Sequence, residues 1–128
     1  MKIGVVLSVF GKLNLEAALE KVAKLGYESV EISVENGSHH LMVDNVLNEG
    51  SAKHIKNLVK SFGLTISALG NHSESQLVLG PYGSDTDLIF RGTPEEKINF
   101  GTTRIIRTAQ LASEMEVPIV CGFCGCED

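Results

Sequence analysis

Leu64-Thr65-Ile66-Ser67-Ala68-Leu69-Gly70-Asn71-His72-Ser73 carries the clearest clue to the fold class. Thr65 to Leu69 is too short for a globular helix, is bounded by Gly63 and Gly70, and carries β-branched Thr65 and Ile66. It therefore reads as a short buried strand. A helical pattern precedes it and another follows. Strands flanked by helices usually lie parallel, and α/β proteins place their working residues where such strands end. Asn71, His72, Ser73 and Glu74 stand at that place.

Working backwards, Ala52, Ile55, Leu58, Val59 and Phe62 form the apolar stripe of a helix that Gly63 stops. Before it, residues 36–50 read as a polar connection containing Gly37, His39-His40 and Asp44. Tyr27 to Val34 reads as a strand in which Val30, Ile32 and Val34 alternate with Glu31, Ser33 and Glu35, so one face is acidic. Leu15, Ala18, Leu19, Val22 and Leu25 mark a helix capped by Asn14 and ended by Gly26. The near-continuous apolar run Ile3 to Phe10 predicts a first strand covered on both faces.

Working forwards, residues 74–92 are too long for a routine βα connection, and either a substrate lid or a packed loop fits them. Leu77-Val78-Leu79 and Leu88-Ile89-Phe90 suggest that the segment folds over something apolar, and Asp85 and Asp87 suit turns better than a metal site. Thr93, Pro94 and Glu96 announce a helix by a capping box, with Ile98, Thr102, Ile105, Ala109 and Ala112 as its expected inner face. Lacking a glycine, its stop is expected at Pro118. A fourth strand, Ile119 to Phe123, follows.

The chain is thus expected to be α/β, a run of parallel units β-α-β-α-β-α-β, with the helix-to-strand passage recurring as Leu25-Gly26-Tyr27, Phe62-Gly63-Leu64 and Met115-Glu116-Val117. An eight-fold β/α (TIM) barrel takes ~250 residues. The 128 residues, read as a single partial domain over 1–128, supply half of one, apparently truncated, with the first and fourth strands as open edges.

Composition narrows the partners. A hydrophobic share of 43% and a charged share of 21% suit a globular domain. The net charge of −5 argues against nucleic acid. No stretch approaches a membrane span and no signal peptide is evident, so neither a membrane nor secretion is expected. Cys121, Cys124 and Cys126 are an odd, C-terminal set that suits the reducing cytoplasm.

The motifs Met1-Lys2-Ile3-Gly4, Leu25-Gly26-Tyr27-Glu28-Ser29-Val30-Glu31-Ile32, Ser67-Ala68-Leu69-Gly70-Asn71-His72 and Val117-Pro118-Ile119-Val120-Cys121-Gly122-Phe123 open successive strands, and together they span nearly the whole chain. In order and spacing the chain resembles the N-terminal half of the xylose isomerase-like TIM barrels, the superfamily of sugar isomerases, sugar-phosphate epimerases and apurinic-site endonucleases. The resemblance implies an isomerase or epimerase of a small sugar, sugar phosphate or polyol, working by a proton or hydride shift beside a carbonyl. It implies a divalent metal (Mn, Mg, Co or Zn) only in the full-length barrel, because most ligands of the family's metal come from strands beyond Asp128. The isolated chain is then expected to be inactive. Two other readings stay open. One is a non-catalytic half-barrel that binds a small polar ligand or forms a homodimer through its open edges; the other, disfavoured by charge, is an endonuclease relative.

For the site, His72, Asn71 and Glu35 are the expected substrate-binding residues, His72 is also the one candidate metal ligand, and Glu31 is assigned to the barrel interior. A strand-end imidazole can orient a hydroxyl or hold a metal, and two carboxylates on one strand face can do acid-base work. His39-His40 read as a solvated loop and His54 as surface. The three cysteines read as small packing residues rather than a zinc site, since no fourth ligand stands at standard spacing.

Overall fold

A computed structural model describes residues 2–125. Strand β1 (Gly4–Val6) leads to helix α1 (Leu15–Lys24) and strand β2 (Ser29–Ser33); helices α2 (Val43–Glu49) and α3 (Ala52–Ser61) precede strand β3 (Thr65–Gly70). Helices α4 (Ser84–Ile89) and α5 (Pro94–Met115) then lead to strand β4 (Val120–Cys121), and 3₁₀ turns at Leu7–Phe10 and Glu74–Val78 follow β1 and β3.

Local chemistry accounts for the element ends. Asn14 Oδ1 accepts the Ala17 N–H at 2.9 Å, capping α1. In α5 the Thr93 N–H donates to Glu96 Oε2 at 2.7 Å while the Glu96 N–H returns to Thr93 Oγ1 at 3.3 Å, the expected capping box. Gly26 and Gly63 end α1 and α3 at φ 84° and 74°. The third passage lacks glycine, yet Glu116 takes the same left-handed turn at φ 54°. The stop of α5 therefore lies at Glu116, two residues before the expected Pro118, and the Glu116 carboxylate pairs with Lys56 of α3.

The four strands pair in chain order, β1-β2-β3-β4, and every pair is parallel. Sequential parallel units joined by right-handed crossovers carry all their helices on one face, which is the arrangement of a barrel segment. Val30 and Ile32 of β2 and Val34 just past its end share one core with Ala18, Leu19 and Val22 of α1, Ile55 and Val59 of α3, and Leu111 and Met115 of α5. The opposite face is polar and uncovered; Lys2, Gly4, Ser29, Glu31 and Ser67 line a hollow of about 310 Å³ there. Pairing of β2 with β3 slips between Val30 and Glu31, leaving Ser67 as the extra residue, whose hydroxyl donates to the Val30 carbonyl at 3.1 Å. The slip sets Gly70 beside Ser33 and Ala68 beside Glu31.

Several expectations need correction. β1 is three residues long and largely exposed, not covered on both faces, because the face of the sheet away from the helices is uncovered and, among the described residues, no strand pairs with its outer edge. The run's remainder, Leu7–Phe10, is 3₁₀ rather than strand. The polar connection at 36–50 contains α2, anchored by buried Val43 and Val46. The inner side of α5 is Lys97, Gly101, Arg104, Thr108, Leu111, Ala112 and Met115, so of the expected stripe only Ala112 is buried. That face packs first on the turn Glu74–Val78 and only later on the apolar core, so its leading half carries charged groups. Residues 74–92 are packed: the Tyr82 hydroxyl donates to the Leu77 and Val78 carbonyls, and buried Lys97 donates to Thr86 Oγ1 at 2.8 Å and Asp87 Oδ1 at 2.6 Å. Phe90 stacks on Phe100 with ring centroids 4.5 Å apart, while Leu79 and Leu88 stay exposed.

Candidate functional site at the strand ends

The C-terminal ends of β1, β2 and β3 open onto a cavity of about 310 Å³, lined by residues that include Ser8, Ser33, Glu35, His39, His40 and His72. A second hollow of about 280 Å³ lies between the C-terminal ends of α3 and α5, with an apolar floor of Val59, Leu64, Met115 and Val117. It offers two lysines but no imidazole, so convergent acid-base groups single out the first.

His72 organises that cavity. Its backbone N–H donates to Glu35 Oε2 at 2.8 Å, while its ring folds back along β3 so that Nε2 lies 2.9 Å from Glu31 Oε1. A carboxylate only accepts, so this contact assigns the proton to Nε2 and leaves Nδ1 with the lone pair when the ring is neutral. Nδ1 is shielded from water and has no hydrogen-bond partner among the described residues. Gly70 makes the fold-back feasible, because a Cβ there would stand 2.7 Å from Nε2 and 3.1 Å from Glu31 Oε1. Phe123 flanks the ring on the other side, with centroids 5.2 Å apart.

Glu31 on β2 and Glu35, two residues past the end of that strand, both engage His72. Asn71 points elsewhere. Its side chain is fully buried, with Nδ2 donating to Glu74 Oε2 at 2.9 Å and Thr108 Oγ1 at 3.2 Å, and Oδ1 without a partner among the described residues. His39 and His40 line the cavity wall; His54 lies at the surface. Burial lowers the His40 pKa against the carbonyls of Phe10 and Leu13, which favour its charged form.

Behind the cavity lies a charged network that sequence reading missed. Glu74 and Arg104 are both buried and joined at 2.8 Å through Arg104 Nε. Glu74 Oε1 also accepts the Asn36 N–H at 3.3 Å, and Arg104 reaches on to Asp44, which Arg107 contacts at 2.5 Å. Burial pushes the Asp44 carboxyl up, but hydrogen bonds and charge from Arg104 and Arg107 bring it below its ordinary range. The network ties the loop after β2, the turn after β3 and helix α5 into one wall. The visible signal was Glu74 at the strand end; its partner Arg104 lies on a helix whose apolar residues pointed to a different face.

Among the described residues no group of three or more His, Cys, Asp or Glu side chains converges to hold a metal ion. The divalent metal implied by the resemblance therefore finds no complete ligand set on these residues. Cys121 is half-buried and Cys124 exposed, while Cys126 lies outside the described residues. Burial, helped by the nearby Glu31 charge, raises the Cys121 pKa and so favours thiol over thiolate. Among the described residues no helix is long and apolar enough to cross a membrane.

No family model and no curated protein matches this sequence. Among solved structures, the chain is similar to a D-psicose 3-epimerase crystallised in the presence of D-fructose, at 18% identity and a TM-score of 0.58, over 95% of this chain and 37% of that one. It is also similar to a Parabacteroides distasonis protein of no stated function, at 18% identity and a TM-score of 0.48, over 95% of this chain and 53% of that one. The chain spans little more than a third of the epimerase's length. Together with the four sequential parallel strands, the first likeness shows the fold: part of a parallel β/α (TIM) barrel.

Proposed function

We propose that the strand-end cavity is one half of a sugar- or polyol-binding mouth, and that the complete barrel to which it belongs is an isomerase or epimerase moving a proton beside a carbonyl. The observation that carries this reading is the Glu31–His72 pair at 2.9 Å, set among hydroxyl and carboxylate groups at the C-terminal ends of parallel strands. Ligands of such folds bind at those ends. Glu31 holds Nε2–H and thereby orients the ring. Glu35, which lines the cavity beside His72, is placed to accept a ligand hydroxyl. Asn71 serves the same mouth from behind, by fixing the turn at Glu74. A divalent metal would supply polarisation of the carbonyl if further ligands complete its set; no step here depends on it.

The test is a ¹H–¹⁵N titration of the protein with a ketose, its aldose isomer and a sugar phosphate, combined with His72→Ala and Glu35→Gln. We expect shifts confined to residues 33–40 and 71–73, weakened at least tenfold by His72→Ala. Shifts that survive both substitutions unchanged would remove the cavity from consideration. Exchange of a substrate carbon-bound hydrogen with D₂O, measured on the closed assembly, separates catalysis from binding.

A further inference from the structure

We infer that the hollow between the C-terminal ends of α3 and α5 is a second ligand site, suited to a small carboxylate with a hydrocarbon body. It lies at the N-terminal end of β3, opposite the mouth, and does not depend on what the mouth binds. Its origin is a parting of two strands. β2 and β3 pair from Ser29 and Thr65 onward, whereas β3 and β4 pair only at Leu69 with Val120 and Gly70 with Cys121. Before that contact the chain between α5 and β4 is taken up by a turn. Glu116 is left-handed at φ 54°, and the Val117 N–H donates back to the Ala112 carbonyl at 2.8 Å. Thr65 and Ile66 at the start of β3 therefore line a gap of about 280 Å³ on that side.

Floor and rim differ in chemistry. The floor is Val59, Leu64, Met115 and Val117, none more than 8% exposed. The charged residues of the lining are Lys56, Lys60 and Glu116. Lys56 engages Glu116 and holds its carboxyl below the ordinary range, with Lys53, one turn earlier on α3, adding to the effect. Lys60 is in no ion pair among the described residues. Three lysines thus stand against one carboxylate in a chain whose net charge is −5, so the local field draws anions to this place. Helix C-termini by themselves disfavour an anion. Here their last carbonyls are occupied: Val59 and Lys60 accept from Leu64 and Gly63, and Ala112 and Ser113 from Val117 and Glu116. A phosphate alone would leave the floor unused, and a polyol would find no polar partners on it. A hydrocarbon body displaces water from the floor while one carboxylate reaches the lysines at the rim. Ligand pockets start at ~300 Å³, so the body must be short.

Titration of the ¹⁵N-labelled protein with butanoate, pentanoate and hexanoate, and with 1-hexanol and inorganic phosphate, tests this. Hexanoate should shift amides within residues 56–66 and 115–117, a set separate from residues 33–40 and 71–73 that report on the mouth. Binding should tighten by up to about fourfold per added methylene, and both 1-hexanol and phosphate should bind more weakly than hexanoate. The double variant Lys56→Gln/Lys60→Gln should weaken hexanoate about fivefold and leave 1-hexanol unchanged. Thr65→Trp, at an exposed position of the lining, should exclude both, with circular dichroism checking that it folds. No hexanoate shifts at these residues, equal affinity for hexanoate and 1-hexanol, the same shifts with phosphate, or no gain with chain length would each overturn the inference. So would hexanoate binding that a folded Thr65→Trp variant leaves intact. The chain-length and head-group comparisons use the unaltered protein and decide the matter even where a variant fails to fold.

Discussion

At the scale of single residues, the geometry turns on Gly70. It is the position where a side chain would occupy the space in which His72 returns to Glu31. Gly70→Ala should displace the imidazole, cost roughly 1–3 kcal/mol by overpacking, and release His72 Nε2 from Glu31. The check is the ring chemical shifts of His72 by NMR together with a urea unfolding midpoint. Glu116 is the converse case, a side chain held where glycine is preferred, at φ 54°. Glu116→Gly should raise the melting temperature modestly, since the lost contact to Lys56 is exposed and weak. A melting temperature that falls would show that the ion pair outweighs the backbone strain.

At the scale of elements, α5 is held by two different devices. Its first turn relies on the capping box, and Thr93→Ala should cost about 1 kcal/mol, read from thermal unfolding. Its middle relies on buried Arg104 against Glu74. Breaking one side of a buried pair strands a charge, so Glu74→Gln should cost roughly 3 kcal/mol or more. It should also loosen the Asn36 and Asn71 amides, measured as faster hydrogen exchange at residues 36 and 71. Equal loss of protection throughout the chain would mean that the network supports the whole fold rather than the wall of the cavity.

At the scale of the whole molecule, His40 and Asp44 are the partly buried groups whose shifts bear on the acid limb of stability, while Asp87, Glu96 and Glu116, also lowered, are exposed. His40 has its pKa lowered by burial, so the unfolded chain takes up the proton first, and stability declines as pH drops below about 6.5. Asp44 has a folded pKa below its ordinary value, so its contribution is complete above about 3.9 and is lost as pH falls further, through the folded value. Both effects have the same sign. Unfolding midpoints taken from pH 8 downward should therefore fall in two stages, and His40→Gln should remove the first. An unchanged first stage in that variant would assign it to another group.

The sequence, read alone, carries the alternation of strands and helices, the caps at Asn14 and Thr93 and the acidic side of β2, because these follow from periodicity and from neighbours within a few residues. Asn14, Thr93 and Glu96 act on backbone groups within three residues of themselves, so their roles could be read directly. It also placed His72 at a strand end. What only the tertiary structure decided is where His72 turns and what backs it. The ring reaches Glu31, 41 positions earlier, through a gap left by Gly70 and a register slip at Ser67. The face of α5 was likewise set from outside, by Glu74 30 positions away, and not by the helix's own apolar residues. Pairings across such separations depend on strand register and on which charges are buried together. Neither quantity is written in local periodicity.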